Sequence, residues 1–313
     1  MPMTFASGLS FLGGFTMTAA LPPPPPENTA AWFSGGQPGP LSTVDRITFA
    51  TDTATATVRG PLSLSIQVLA AAGNFTDGWF GGGGFPITST VQRITYATDT
   101  ATASVRGPLS SSTYGIAAAA NTTDGWFAAG YSTRSTVDRI TFATDTATAS
   151  VRGPLSSGCS YLAAAGNTTD GWFGGGQPGY RSTVQRITYA TDTATASVRG
   201  PLSVATSVLA ATGNSDYGWF GAGEAGPLTS TVQRITYATD TATASVRGPL
   251  SASTRNLAAA GNTTDGWFSA GYVAGLPTTT VNRITYATDT ATASVRGPLS
   301  VGRYNLAAAG GIQ

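Results

Sequence analysis

Three charged positions recur once per repeat of about 47 residues, and they are the residues best placed to do chemistry. The first set lies in a Val-x-Arg-Ile-Thr segment: Arg46, Arg93, Arg139, Arg186, Arg234 and Arg283. The second follows a valine: Arg59, Arg106, Arg152, Arg199, Arg247 and Arg296. The third lies in an Ala-Thr-Asp-Thr turn: Asp52, Asp99, Asp145, Asp192, Asp240 and Asp289.

Such arginines would suit a ring of anion sites, because guanidinium groups pair with carboxylates and phosphates. The alternative is structural: a strand arginine covered by its neighbours needs a fixed partner, and the turn aspartate or nearby carbonyl groups can supply it. Six near-identical copies favour the structural role. We therefore expect these positions to maintain the fold and not to bind a ligand.

Composition excludes several kinds of catalysis. The chain of 313 residues contains no histidine and one cysteine, Cys159. Ser-His-Asp and Cys-His mechanisms and the commonest zinc and copper sites are therefore absent, and Cys159 is expected to be a small structural residue. The formal net charge is +1, which gives no electrostatic footprint for nucleic acid. We expect no catalytic residue, no cofactor and no metal.

These charged positions belong to a repeat marked by six tryptophans, Trp32, Trp79, Trp126, Trp172, Trp219 and Trp267. In the second copy the residue types predict four short strands, at 68–73, 79–84, 90–97 and 101–106, separated by Asn-, Asp- and Gly-containing turns. Four strands per unit of this length are typical of a propeller blade. The alanine-rich first strand suits a crowded central channel.

The two ends of the repeat region predict how the ring closes. Trp32 has no alanine-rich strand before it, whereas the chain finishes with such a strand at 306–310. The C-terminal strand should therefore complete the N-terminal blade. We predict an all-β, six-bladed β-propeller of four-stranded antiparallel blades over residues 28–313, in which closure removes the long strand edges.

The repeat resembles the kelch repeat. That family has a strand that ends in a double glycine, and the run Gly81–Gly84 fits it, as do the aromatic Tyr96, the turn residue Asp99 and the alanine run. This chain's tryptophan, however, precedes the glycines. The unit is also similar to repeats in virion and tail-associated proteins of bacteriophages and other viruses from aquatic environments. The resemblance covers residues 32–310 and is specific for the repeat. Kelch-like propellers include binding modules, scaffolds and a few oxidases, and an oxidase copper site would need histidine.

Residues 1–27 are predicted to form an attachment arm. A mildly apolar segment, too short and too rich in Gly, Ser and Thr to span a membrane, precedes the stiff run Pro22–Pro26. The alternative is a plain disordered terminus. Docking through this arm to other virion proteins is the partner that we expect.

The six copies differ mainly in two connections, between strands two and three and between strands four and one. Antiparallel strands place both connections on one face of the disk. That face collects tyrosines and arginines, which are common in binding surfaces held by rigid scaffolds, although unconstrained loops would also vary. The candidate binding residues are Phe85, Tyr114, Tyr131, Arg134, Tyr161, Tyr180, Arg181, Glu224, Arg255, Tyr272, Arg303 and Tyr304.

The sequence thus favours a non-enzymatic structural or binding protein. The leading interpretation is a phage virion or appendage component, located on the extracellular particle. Its variable face would meet a neighbouring subunit, a host-surface glycan or a host protein. One alternative is a secreted lectin-like or intracellular scaffold propeller. Another is a polysaccharide-active enzyme that uses Glu224 with a turn aspartate.

Overall fold

The computed structural model describes residues 29–310. The proposed arm at 1–27 lies outside the described residues. The ring consists of six four-stranded antiparallel sheets, so the predicted all-β, six-bladed propeller is confirmed. Each sheet is one blade, and its strands are numbered one to four from the channel to the rim.

The strands of the blades are short, and their bounds repeat closely. The first strands are Ala307–Ala309, Ala70–Gly73, Ala117–Ala120, Ala163–Gly166, Ala210–Gly213 and Ala258–Gly261 for blades 1 to 6. The second strands are Ala30–Ser34, Asp77–Gly81, Asp124–Ala128, Asp170–Gly174, Tyr217–Glu224 and Asp265–Ser269. The third strands are Val44–Thr48, Val91–Thr95, Val137–Thr141, Val184–Thr188, Leu228–Thr236 and Val281–Thr285. The fourth strands are Thr57–Val58, Ser104–Arg106, Ser150–Arg152, Ser197–Arg199, Ser245–Arg247 and Ser294–Arg296.

A 3-10 turn follows the third strand of every blade, and a small ribbon decorates blade 6. The turns are Phe49–Thr51, Tyr96–Thr98, Phe142–Thr144, Tyr189–Thr191, Tyr237–Thr239 and Tyr286–Thr288. The ribbon pairs Tyr272–Val273 with Leu276–Pro277. The prediction that the third strand of blade 2 continues to residue 97 was therefore wrong: it ends at Thr95, where the chain turns toward the neighbouring blade.

The C-terminal strand closes the ring as expected. Ala309 lies opposite Trp32 and Ala307 lies opposite Ser34, so the last strand is the innermost strand of blade 1. The alanine-rich first strands line the central channel with methyl groups and glycines. Larger side chains form six clusters, each shared between adjacent blades: Trp79 of blade 2, for example, lies in one cluster with Phe127 and Phe142 of blade 3.

Backbone hydrogen bonds join neighbouring blades near the rim. The glycine that follows each fourth strand donates its N–H to the backbone carbonyl of the turn aspartate in the next blade, as Gly107 does to Asp145 at 2.8 Å. A Cβ at Gly107 would lie 1.9 Å from the carbonyl oxygen of Ala147. Only glycine fits this approach, which explains the glycine of the Gly-Pro pair that follows each fourth strand.

Candidate functional site

The turn aspartates and both arginine sets meet at the blade interfaces. Oδ2 of Asp145 accepts hydrogen bonds from Trp79 Nε1 at 2.8 Å and Arg93 Nη1 at 3.0 Å, and Arg106 Nε lies 3.4 Å away. The same three contacts recur at all six interfaces, including that between blades 6 and 1. Each aspartate is buried, and each arginine is partly buried. This carboxylate is the fixed partner of both arginines, so the geometry does not leave a ring of open anion sites.

The indole of each tryptophan is held a second time by stacking. Trp126 stacks on Tyr189 of the next blade with ring centroids 3.8 Å apart and planes 7° from parallel. Phenylalanine takes the tyrosine's place against Trp79 and Trp267. The sequence shows that the tryptophans and the tyrosine or phenylalanine residues recur, but not that they stack in pairs across blades. The two partners are more than 60 residues apart, and short sequence patterns do not predict such contacts.

The two variable connections of each blade lie together on one face of the ring, which we call the variable face. Isolated β-bridges link them: Gln67 with Gly84, Ser160 with Gln177, and Ser207 with Glu224. The opposite, uniform face carries the turns between strands one and two and between strands three and four. The variable face and the uniform face therefore surround the two opposite ends of the central channel.

A closed ring of backbone hydrogen bonds surrounds the channel mouth on the variable face. Six residues with positive φ form it, each donating its N–H to the carbonyl of the preceding one: Val68, Gly115, Tyr161, Val208, Asn256 and Asn305. The distances from the donor nitrogen to the acceptor oxygen are 2.7–3.1 Å. Together with the adjoining leucines and Ile116 these residues line a small pocket of about 70 Å³. These hydrogen bonds tie the six connections to one another around the channel mouth.

Three tyrosines cluster beside this ring. Tyr114 stacks on Tyr131 with centroids 4.7 Å apart, and it meets Tyr161 edge to face at 6.2 Å. Tyr131 is 48% exposed, whereas Tyr114 and Tyr161 are partly buried. Burial raises the pKa of the Tyr161 hydroxyl to about 12. The cluster offers an aromatic surface edged with hydroxyl groups.

A second cluster surrounds Glu224 in blade 5. Its Oε1 accepts a hydrogen bond from Tyr180 at 3.1 Å, and its Oε2 forms an ion pair with Arg255. The Arg255 guanidinium lies over the ring of Tyr272, 5.6 Å from its centroid. Tyr272 in turn contacts Tyr304, with centroids 4.8 Å apart. The candidate residues of blades 4, 5, 6 and 1 are thus joined in one chain of contacts.

The remaining candidates are placed differently. Arg134 bonds to Ser111 and Ser112, and Arg181 bonds to Ser157 and Gly158, so both brace loops. Phe85 is 66% exposed. The prediction that Arg303 belongs to the exposed binding surface was wrong. Its side chain is fully buried, with Nη2 2.9 Å from Asp45 Oδ2. Its ion pair joins the last connection of the chain to blade 1.

The cysteine lies in the interior, and the described acidic residues form no metal-binding group. Cys159 is buried, and burial raises the pKa of its thiol to about 11. Within residues 29–310, no three His, Cys, Asp or Glu side chains are grouped to hold a metal ion. In the same range, no helix has the length and hydropathy needed to cross a bilayer.

Comparison with known proteins adds no relative: no protein-family model matches the chain, and no curated protein matches its sequence. The six copies of the repeat form a closed six-bladed β-propeller with one uniform face and one diversified face.

Proposed function

We propose that this propeller is a non-enzymatic binding protein that recognises a glycan through the tyrosine-rich part of its variable face. The supporting observation is the two aromatic clusters around the channel mouth, Tyr114–Tyr131–Tyr161 and Tyr180–Glu224–Arg255–Tyr272. Aromatic rings supply apolar area for the carbon face of a sugar, while their hydroxyl groups and the neighbouring charges bond to its hydroxyl groups. Rigid loops lower the entropic cost of binding.

The acidic residues favour binding over polysaccharide cleavage. Glycosidases of the usual type use two carboxyl groups that flank the scissile bond. Glu224 is already bonded to Tyr180 and Arg255, while Asp45 and Asp138 lie in other blades and are 0% and 4% exposed. The other described aspartates lie at the uniform face, either in its turns or as the first residue of a second strand. A lone, ion-paired glutamate suits ligand orientation better than general acid catalysis.

A glycan screen of the full chain tests this proposal. We expect saturable binding that is lost in Tyr131→Ala and in Tyr180→Ala, because each removes an exposed aromatic surface from its cluster. Val105→Ala on the rim, where Val105 is 60% exposed, is the matched control and should bind like the original chain. Binding that survives both tyrosine substitutions would contradict the proposal.

The virion context is a separate part of the proposal, and it is supported only by the resemblance of the repeat to repeats in bacteriophage proteins. In that setting residues 1–27 dock the propeller to a particle, and the variable face meets the host surface or a neighbouring subunit. Sedimentation of the full chain and of a chain lacking residues 1–27 tests the docking. We expect assembly only with the arm present, and two soluble monomers would contradict a docking role.

A further inference from the structure

Two blades lack a carboxylate that the other four have on the uniform face. In blade 2, Oδ1 of Asp77 accepts a hydrogen bond from Thr95 at 2.5 Å and lies 3.5 Å from Arg93 Nε. Blades 3, 4 and 6 repeat this arrangement with Asp124, Asp170 and Asp265. The carboxylate therefore belongs to the repeat and neutralises one guanidinium.

The two blades without this aspartate differ in what lies beside the third-strand arginine. Blade 5 has Tyr217 in this place, and the Arg234 guanidinium lies over its ring at 4.4 Å. Blade 1 has Ala30, which provides neither charge nor ring. Among the described residues its arginines, Arg46 and Arg59, share Asp99, so two guanidinium groups face one carboxylate where blade 2 has two of each. Within residues 29–310, blade 1 therefore carries an excess positive charge at this position.

A pocket of about 240 Å³ occupies this position in blade 1. Arg46 and Thr48, which correspond to the two aspartate partners in blade 2, line it together with Thr29, Ala30, Trp32, Phe75 and Tyr96. The donors that hold a carboxylate elsewhere in the ring therefore border a cavity here. Hydrogen bonds between ionised groups are strong, so an incoming carboxylate would be favoured over a neutral group.

Besides Ala30, a second residue of the pocket wall, Phe75, differs from its equivalents in the other repeats. Phe75 lies in the turn of blade 2, where the other turns have threonine or serine: Thr122, Thr168, Ser215 and Thr263. The one aromatic residue among these turns is thus the one beside the missing carboxylate. An aromatic wall next to the Arg46 guanidinium and the Thr48 hydroxyl is complementary to a ligand with an apolar body and a carboxylate.

We propose that this pocket binds a small organic acid, with its carboxylate on Arg46 and Thr48 and its apolar body against Phe75. The site is independent of the glycan surface, because it lies on the uniform face. Its ligand class follows from the comparison of blades: the protein's own aspartate occupies the equivalent position in blades 2, 3, 4 and 6.

Titration of the full chain with benzoate, followed by calorimetry and by line broadening of the benzoate proton resonances, tests the proposal. Benzamide, the uncharged analogue of similar shape, is the matched ligand and should bind at least about tenfold more weakly. Ala30→Asp supplies the missing carboxylate from within and should remove benzoate binding. Phe75→Thr restores the residue of the other repeats and should weaken binding several-fold without disturbing the fold.

Three results would overturn the proposal. Equal binding of benzamide would show that charge is not recognised, and unchanged benzoate binding by both variants would place the ligand elsewhere. The third involves Glu27, which lies outside the described residues. If only Glu27→Gln binds benzoate and the original chain does not, the position is filled by the chain's own acid and not by an external ligand.

Discussion

At the scale of single residues, the blade interface depends on one carboxylate that serves three donors. Asp145 is 5% exposed and accepts from Trp79 and Arg93, with Arg106 close by. The expectation that the turn aspartate partners the arginines followed from charge alone. Its bond to the tryptophan indole did not, because a sequence shows that Trp and Asp recur but not that they meet across a blade boundary.

Removal of this carboxylate should be costly. Asp145→Ala leaves two guanidinium groups and an indole N–H without their shared acceptor, and we expect it to lower the free energy of unfolding by about 3 kcal/mol. Urea denaturation measures the change. The control is Asp216→Ala, because Asp216 is exposed and its replacement should cost less than about 0.5 kcal/mol. Equal effects of the two substitutions would contradict the structural role.

The stacked tyrosines predict how stability depends on alkaline pH. Tyr237 stacks on Trp172, and burial raises the pKa of its hydroxyl well above the ordinary value. The folded state therefore holds this proton more tightly than the unfolded state. The associated stability is complete below the ordinary tyrosine pKa of about 10 and is lost progressively as pH rises above it.

Tyr237→Phe should remove this dependence. Phenylalanine already occupies the equivalent place in blades 1 and 3, as Phe49 and Phe142, so the variant should be as stable as the original chain at pH 8. At pH 11 it should be more stable by about 1.4 kcal/mol, which corresponds to one pKa unit. Urea unfolding at both pH values gives the comparison, and parallel losses in the two proteins would refute the assignment.

At the scale of elements, residue types indicated the four strands of each blade but not all of their ends. The third strand stops at Thr95 because the 3-10 turn Tyr96–Thr98 carries the aromatic ring onto the tryptophan of the neighbouring blade. The fourth strand begins at Ser104, three residues later than expected. Both differences arise from contacts between blades, which strand propensity does not include.

The ring of positive-φ residues was also hidden in the sequence. Glycine and asparagine suggest this conformation, but the ring also holds Val68 at φ 55° and Val208 at φ 53°. A β-branched residue is strained there, so inter-blade hydrogen bonding must impose the conformation. This part of the candidate surface could not have been located from residue types alone.

That strain predicts a stabilising substitution. Val208→Asn introduces the residue found at the equivalent positions 256 and 305, and it should raise the free energy of unfolding by about 1 kcal/mol. Gly115→Val at the same place in blade 3, where φ is 66°, should lower it by a similar amount. Denaturant titration of both variants measures the pair. Shifts in the same direction would contradict the strain argument.

At the scale of the whole molecule, the Trp spacing and the unpaired ends of the repeat predicted six blades and their closure. The burial of Arg303 could not be predicted in the same way, because its position among the variable loops suggests an exposed side chain while the structure shows a fully buried one. Arg303 and Asp45 take the place that Thr206 and Gln233 occupy in blade 5, where the Nε2 to Oγ1 distance is 3.4 Å. A charged pair therefore marks the junction between the two chain ends.

This pair offers a test of closure. Arg303→Thr leaves Asp45 buried without its cation and should cost roughly 3–5 kcal/mol. Combining it with Asp45→Gln recreates the neutral pair of blade 5 and should recover most of the loss. Thermal and urea unfolding of the single and double variants provide the comparison. Additive losses in the double variant would show that the two side chains do not act as a pair.

Glycan recognition by the variable face is tested most directly by hydroxyl-radical footprinting. The full chain would be labelled with and without the glycan that binds best in the screen, and the modification of each tyrosine compared. We predict that the glycan protects Tyr131 and Tyr180, which are 48% and 43% exposed, while Val105 on the rim is labelled equally in both states. Unchanged labelling of both tyrosines in the saturated complex would contradict recognition through the variable face.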